Sequence, residues 1–236
     1  MKRFRTLLPL IVLIALGIAL LASGGLNRFR PEHLATEQAQ LQLQIAARPV
    51  VAALLQIVAT TLAISTGIPG VVVLIFAGGM LFGVFLGTVL SSIGVTVGAL
   101  ILFLASRHAF GDHRGVDAPG LVGRMRSGYH VHPKSYTFFL RLVPFFPFGG
   151  VTVALAWLRC PLWLFLVATA GGGSVMTGIE TALGAGLAKT IGEKHAITPS
   201  LFADPAVLIP LLALGLLALV PILVSKWRGA PAVRKP

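Results

Sequence analysis

Acidic residues are scarce in this chain: 7 Asp and Glu stand against 19 Lys and Arg, a formal net charge of +12. Between Pro49 and Ser106 no charged side chain of either sign occurs over 58 residues. The whole chain is 56% hydrophobic and 11% charged, with a mean hydropathy of +0.91, where a soluble domain carries about a quarter charged residues. These shortages exclude a sizeable soluble domain. They predict an all-α, polytopic integral membrane protein, because backbone in lipid must satisfy its own hydrogen bonds. The single cysteine, Cys160, excludes an intrachain disulfide and any four-cysteine metal site. Next to Pro161 it reads as a small apolar filler.

Catalytic constellations are missing too. No nucleophile stands with a base, no glycine loop is built for phosphate, and no carboxylate pair lies within reach, so neither an enzyme nor a cofactor is expected. His108, His113, His130 and His132 share a basic loop with no ordered third and fourth ligand, so no metal site is expected. The basic residues lie in tails and loops, where they signal topology and contact with anionic lipid, not nucleic acid.

Three regions follow. Residues 1–48 hold an apolar helix, Leu7–Ala22, and a polar stretch. That helix resembles a signal peptide and is read as an uncleaved first span. From Pro31 the polar stretch patterns as an amphipathic interfacial helix or a solvated linker, with Leu34, Leu41 and Ile45 on one face. Residues 49–188 form the membrane domain. Residues 189–236 add a neutral loop, Lys189–Asp204, a last span, Pro205–Ser225, and a basic tail.

The charge-free block is too long for two spans of about 20 residues and short for three. It divides as Pro49–Thr66, Gly67–Gly83 and Val84–Ser106. The central piece opens with Ile68-Pro69-Gly70, contains Gly78-Gly79 and ends in Gly83. A short interrupted apolar segment of this kind predicts a re-entrant hairpin, tolerated at membrane depth only inside protein or beside a polar cavity. A second broken segment, Val143-Pro144-Phe145-Phe146-Pro147-Phe148-Gly149-Gly150, lies in the other half. Corresponding interruptions in two halves point to two facing hairpins around a transport site. Simple proline kinks are the alternative. Gly79, Gly83 and Gly87, and again Gly94 and Gly98, recur at four-residue spacing, which predicts close backbone packing, within the chain or at a dimer seam.

Three charges stand out. Arg141 lies among Phe138, Phe139, Leu140, Leu142 and Val143, and an arginine toward the bilayer centre costs a few kcal/mol unless it meets a polar cavity. Glu180 is the one acid inside a predicted span, Pro161–Ala188, and is expected either to pair with Arg141 or Arg159 or to handle protons or ions. Arg159 itself reads as a boundary residue.

The basic tails and the Arg107–Lys134 loop all belong in the cytoplasm by the positive-inside rule. Counting Leu7–Ala22, Pro49–Thr66, Val84–Ser106, Pro161–Ala188 and Pro205–Ser225 as full crossings puts the termini on opposite faces. Both statements cannot hold.

The run Phe76-Ala77-Gly78-Gly79-Met80-Leu81-Phe82-Gly83, with Leu140-Arg141-Leu142-Val143-Pro144-Phe145-Phe146-Pro147-Phe148 further on, resembles the two halves of a VTT domain. This is the SNARE-associated Golgi protein family of the DedA superfamily, and the likeness is to its Tvp-like bacterial branch. The resemblance covers about Val50 to Ala188. It implies facing re-entrant hairpins, an inner-membrane location and a role in lipid homeostasis, with lipid scrambling or lipid-carrier translocation as the activity proposed for relatives. Arg141, with Pro144 and Pro147, matches the family's arginine–proline signature. Gly149-Gly150-Val151-Thr152 stands where many relatives carry an asparagine-containing stretch. No acid occupies the first hairpin, so proton coupling there does not carry over.

The expectation is a lipid scramblase-like or ion-coupled transporter in which Arg141, Pro144, Pro147, Glu180 and Arg159 line the path. Pro69, Gly70, Gly78, Gly79, Gly83, Gly87, Gly149 and Gly150 would shape the hairpins. Its partners would be membrane lipids, an anionic phospholipid or a lipid-phosphate carrier among them, and a second copy of the chain. The alternative is a non-transporting membrane organiser that packs through its glycine faces and recruits partners through its basic loop.

Overall fold

A computed structural model describes residues 10–16, 18–19, 40–67, 70–110, 126, 129–143, 146–194 and 204–227, and contains no strand among them. Pro69 and Pro144, both expected in the bends, and the Pro31 end of the amphipathic stretch lie outside the described residues. Among the described residues, two helices, Val71–Phe110 and Leu162–Thr190, are long and apolar enough to cross a membrane.

Helix α1 (Gln40–Ala47) bends by 109° into α2 (Pro49–Ser65). Pro49 sits in the first turn of α2, where its fixed φ suits the helix and its missing N–H costs nothing. The helix stops where Thr66 Oγ1 donates back to the carbonyls of Leu62 and Ala63, at 2.9 and 3.0 Å. Gly67 then takes φ +68°.

Helix α3 (Val71–Phe110) is two arms, not one rod. At Gly83 the backbone leaves helical geometry, with φ 74° and ψ −179°. A Cβ built on Gly87 would lie 2.7 Å from the Gly78 carbonyl oxygen, although a straight helix holds those two positions about 13 Å apart. The arms 71–82 and 84–110 therefore run back along each other. Gly94 packs against Thr60 and Gly98 against Ile64, so the second arm runs parallel to α2. The first half is thus a short hairpin, α2 and 71–82 with Thr66, Gly67 and Gly70 at its tip, followed by a long helix alongside it.

The second half repeats this plan. Helix α4 (Pro133–Leu142) opens on a proline and ends at the extended Val143, as the residue before a proline requires. Helix α5 (Phe148–Trp157) starts from the extended Pro147. It closes in a Schellman turn: Cys160 N–H donates to Leu155 O at 3.0 Å and Arg159 N–H to Ala156 O at 3.2 Å. Arg159 holds the left-handed position there, φ 57°, where glycine is usual. Helix α6 (Leu162–Lys194) then runs parallel to α4, with Lys134 over Trp163, Gly171 beside Phe138 and Gly172 beside Arg141.

The two long helices pair in opposite directions. Thr88 and Thr181 hydroxyls meet at 2.6 Å at one end, and Phe103 stacks on Phe165 at 4.1 Å toward the other. Arg107 Nη1 donates to Cys160 O at 3.3 Å beyond that stack. The halves are inverted copies of one design. Phe103, Phe165, Leu155 and Val151, all fully buried, fill the core between them. Helix α7 (Pro205–Trp227) closes the far end of α6, with the backbone of Ala206 against Gly186.

Several expectations need correction. Gly79, Gly83 and Gly87 do not share a helix face, because the chain reverses at Gly83. A side chain at Gly83 would meet nothing within 4 Å, so that residue serves the turn and not packing. Gly79 instead lies against the backbone of Thr181, and Gly184 against that of Phe76, closer than any Cβ could be accommodated. Gly78-Gly79 and Gly149-Gly150 are not equivalent either: the first pair lies inside an arm, the second opens one at the tip. The helices also outlast the apolar runs, through Phe110 and Lys194, so Arg107 and Lys189 are helical and not loop residues. Backbone hydrogen bonding continues past the apolar stretch, while Lys189 is exposed and Arg107 finds the Cys160 carbonyl.

Candidate functional site

The tips of the two hairpins meet. A Cβ on Gly149 would lie 3.2 Å from the Gly67 Cα, tighter than an ordinary contact, while Gly67 is held as glycine by its φ of +68°. Beside this contact opens a cavity of about 350 Å³. The first tip contributes Gly67 and Gly70, the second Pro147, Gly149 and Gly150, α4 contributes Arg141, and α6 contributes Thr177 and Glu180. Residues expected at the bends and in the transport path thus converge from four separate segments. Gly78, Gly79, Gly83, Gly87 and Arg159 are not among those lining it.

Arg141 dominates the chemistry. Its residue is 4% exposed, and its Nη2 donates to Thr152 Oγ1 at 3.1 Å across the hairpin. Thr152 Oγ1 donates in turn to Phe148 O at 2.9 Å, which fixes the hydroxyl so that its lone pairs face the guanidinium. The guanidinium carbon sits 4.3 Å from the Phe148 ring centroid and 4.9 Å from that of Phe165. Cation–π contacts of this kind are worth up to about 2 kcal/mol when water is excluded. A buried, incompletely paired charge costs several kcal/mol, so the aromatic faces and one hydroxyl offset only part of it. Nε and Nη1 have no hydrogen-bond partner among the described residues.

The expected ion pairs of Glu180 do not form. Glu180 lines the same cavity, yet it makes no hydrogen bond or ion pair with any described residue. The helix geometry explains this. Arg141 leaves α4 beside Gly172 and reaches toward Phe165, while Glu180 lies about 12 Å further along α6 in the other direction. The cavity therefore carries a cation toward one end and a carboxylate toward the other.

Thr152, Phe148 and Phe165 were not identified from sequence as partners of Arg141. Thr152 had a signal, since it falls in the stretch that departs from the asparagine-containing pattern. Phe165 had none, because only the folding of α6 beside α4 brings it there. Gln56 was also missed. Its Nε2 donates to Leu74 O at 3.0 Å and Ser91 Oγ at 3.1 Å, tying α2 to both arms of α3.

A family model for the VTT domain matches residues 68–186, half of the chain. Searches of curated proteins and of solved structures give no match.

Proposed function

Because the chain belongs to the VTT-domain family, a membership consistent with the DedA superfamily, we propose that it carries phosphate-bearing lipid headgroups across a membrane, through the cavity where its two hairpin tips meet. The observation that carries this reading is Arg141: a buried guanidinium at the tips, with two nitrogens lacking any acceptor among the described residues. Arginine binds phosphate through two parallel N–H bonds, a geometry that lysine cannot reproduce.

The dimensions fit a re-entrant arrangement. The arms 71–82, α4 and α5 are each about 15–18 Å long and α2 about 25 Å, all short of a core of about 30 Å, while 84–110 and α6 exceed it. The hairpins enter from opposite faces and their tips meet in the interior. Pro49–Thr66 is then the inbound arm of a hairpin and not a crossing. Four full crossings remain, from the first helix, 84–110, α6 and α7. The basic N-terminal tail, the Arg107–Lys134 loop and the basic C-terminal tail then share one face, in agreement with the positive-inside rule. That face is cytoplasmic, in a multi-pass protein of the bacterial inner membrane.

In this arrangement a headgroup travels only between two tips and not through the full bilayer thickness. Phe148 covers the guanidinium, so the tips part at the Gly67–Gly149 contact to admit the phosphate. Glu180, at the far end, favours cationic groups and repels the phosphate once it has moved that far. Vesicles containing the purified protein and a headgroup-labelled phospholipid test the reading. Wild type should equilibrate the label between leaflets, and Arg141→Ala should not. Equal rates in protein-free and wild-type vesicles, across anionic and zwitterionic labels and lipid-phosphate carriers, would overturn it.

A further inference from the structure

A second hollow, separate from the tips, lies at the outer end of the first hairpin. It measures about 380 Å³. Leu41 and Ile45 of α1 form one wall, Val51 and Leu55 of α2 another, and Leu81 and Phe82 close it just before the Gly83 turn. Arg48 stands at its rim, at the 109° corner between α1 and α2. Its residue is exposed, and its guanidinium makes no hydrogen bond or ion pair with any described residue. No lining residue is acidic.

We propose that this groove is a binding site for one anionic phospholipid of the surrounding bilayer, with its phosphate at Arg48 and one acyl chain along Leu55, Leu81 and Phe82. Charge decides the class. A zwitterionic headgroup carries an ammonium that finds no carboxylate among the described residues lining the groove, whereas a net-anionic headgroup meets the arginine. Geometry agrees, because a helix lying across the entry of an inserted helix puts its corner at headgroup depth. The site holds a lipid in place and does not pass it on, since it lies beside the hairpin base and shares no lining residue with the tip cavity. Gln56 lines the groove and ties α2 to both arms of α3, so a bound lipid braces the first hairpin.

The test uses the full chain purified in detergent, with phosphatidylglycerol or phosphatidylcholine added, read by native mass spectrometry and thermal unfolding. Wild type should bind phosphatidylglycerol about fivefold more tightly than phosphatidylcholine, the preference expected for one arginine near a lipid surface, and should unfold at a higher temperature when it is bound. Arg48→Gln should lose the preference, and Ala52→Trp, which fills the groove floor, should lose the adduct. Both positions are on or near the surface, and circular dichroism establishes that each variant is folded. An unchanged headgroup preference in Arg48→Gln would overturn the proposal. So would a disulfide or photo-cross-link showing that Leu55 faces the chain's own N-terminal helix or a second copy. Transport in vesicles does not enter either readout, so failure here leaves the tip-cavity reading standing, and the reverse also holds.

Discussion

Arg141 Nη2 and Thr152 Oγ1 lie 3.1 Å apart, one on each arm of the second hairpin, and theirs is the hydrogen bond that joins those arms at the guanidinium. Thr152→Val removes the acceptor and leaves a third buried nitrogen weakly satisfied. A lost bond to a charged donor costs about 1.5–3 kcal/mol. The variant should show that loss in thermal unfolding, and Thr152→Ser should recover most of it. Wild-type stability in Thr152→Val would mean that the aromatic faces alone hold the guanidinium.

Glu180 gives a separate test, because it shares a cavity with Arg141 without pairing to it. Glu180→Gln should leave stability at or above that of wild type, because it removes a partly buried charge and breaks no pair. It should not restore stability to an Arg141→Ala background. Recovery in the double variant would show that the two charges meet in the folded protein after all.

Arg141→Lys and Arg141→Ala should both insert, reach normal yield and lose headgroup movement by at least about tenfold, because neither offers the two parallel donors. Arg126→Ala, in the basic loop, should retain it. Full activity in Arg141→Lys would remove the bidentate argument, and full activity in Arg141→Ala would remove the site.

The two kinds of glycine should separate by substitution. Gly79→Ala pushes a methyl into the Thr181 backbone, and overpacking of this kind costs about 1–3 kcal/mol. Gly83→Ala has open space but must hold φ 74° and ψ −179°, a conformation essentially confined to glycine, at about 1–3 kcal/mol. A longer side chain should separate them: Gly83→Leu, which meets open space, should cost little more than Gly83→Ala, whereas Gly79→Leu should cost far more than Gly79→Ala. Equal behaviour at both would remove the distinction.

Topology can be read by labelling single cysteines in a Cys160→Ala background. Val50 and Val84 flank the first hairpin and should react from the same face of the membrane, and Val131 from the opposite face. Labelling of Val50 and Val84 from opposite faces would make α2 or 71–82 a full crossing.

Much of this architecture was legible in the chain. Proline and glycine act on the backbone locally, so Pro49, Gly67, Gly83 and Pro147 mark breaks that no neighbour can undo. Arg141 was legible because an arginine among phenylalanines has few explanations in an apolar chain. What stayed hidden depends on contacts between distant segments. The spacing of Gly79, Gly83 and Gly87 suggests one face only if the helix continues, and the reversal at Gly83 separates them. Thr152 and Phe165 reach Arg141 across a tip and from a neighbouring helix, at separations that no periodicity marks. The Glu180 pairing failed on distance along α6, which sequence order does not reveal.

The hairpins are inverted copies, but their charges are not. Where α4 carries Arg141 in its last turn, just before its tip, α2 ends in Ser65, whose hydroxyl turns onto Leu62 O. On the proposed route, a headgroup arriving from either leaflet would meet the same guanidinium, approached from the front in one direction and from behind in the other. Such one-sidedness can make inward and outward encounters differ in rate constant. Detailed balance still forbids it from sustaining a concentration difference, so any standing lipid asymmetry in this protein's membrane must be maintained by a separate supply of free energy.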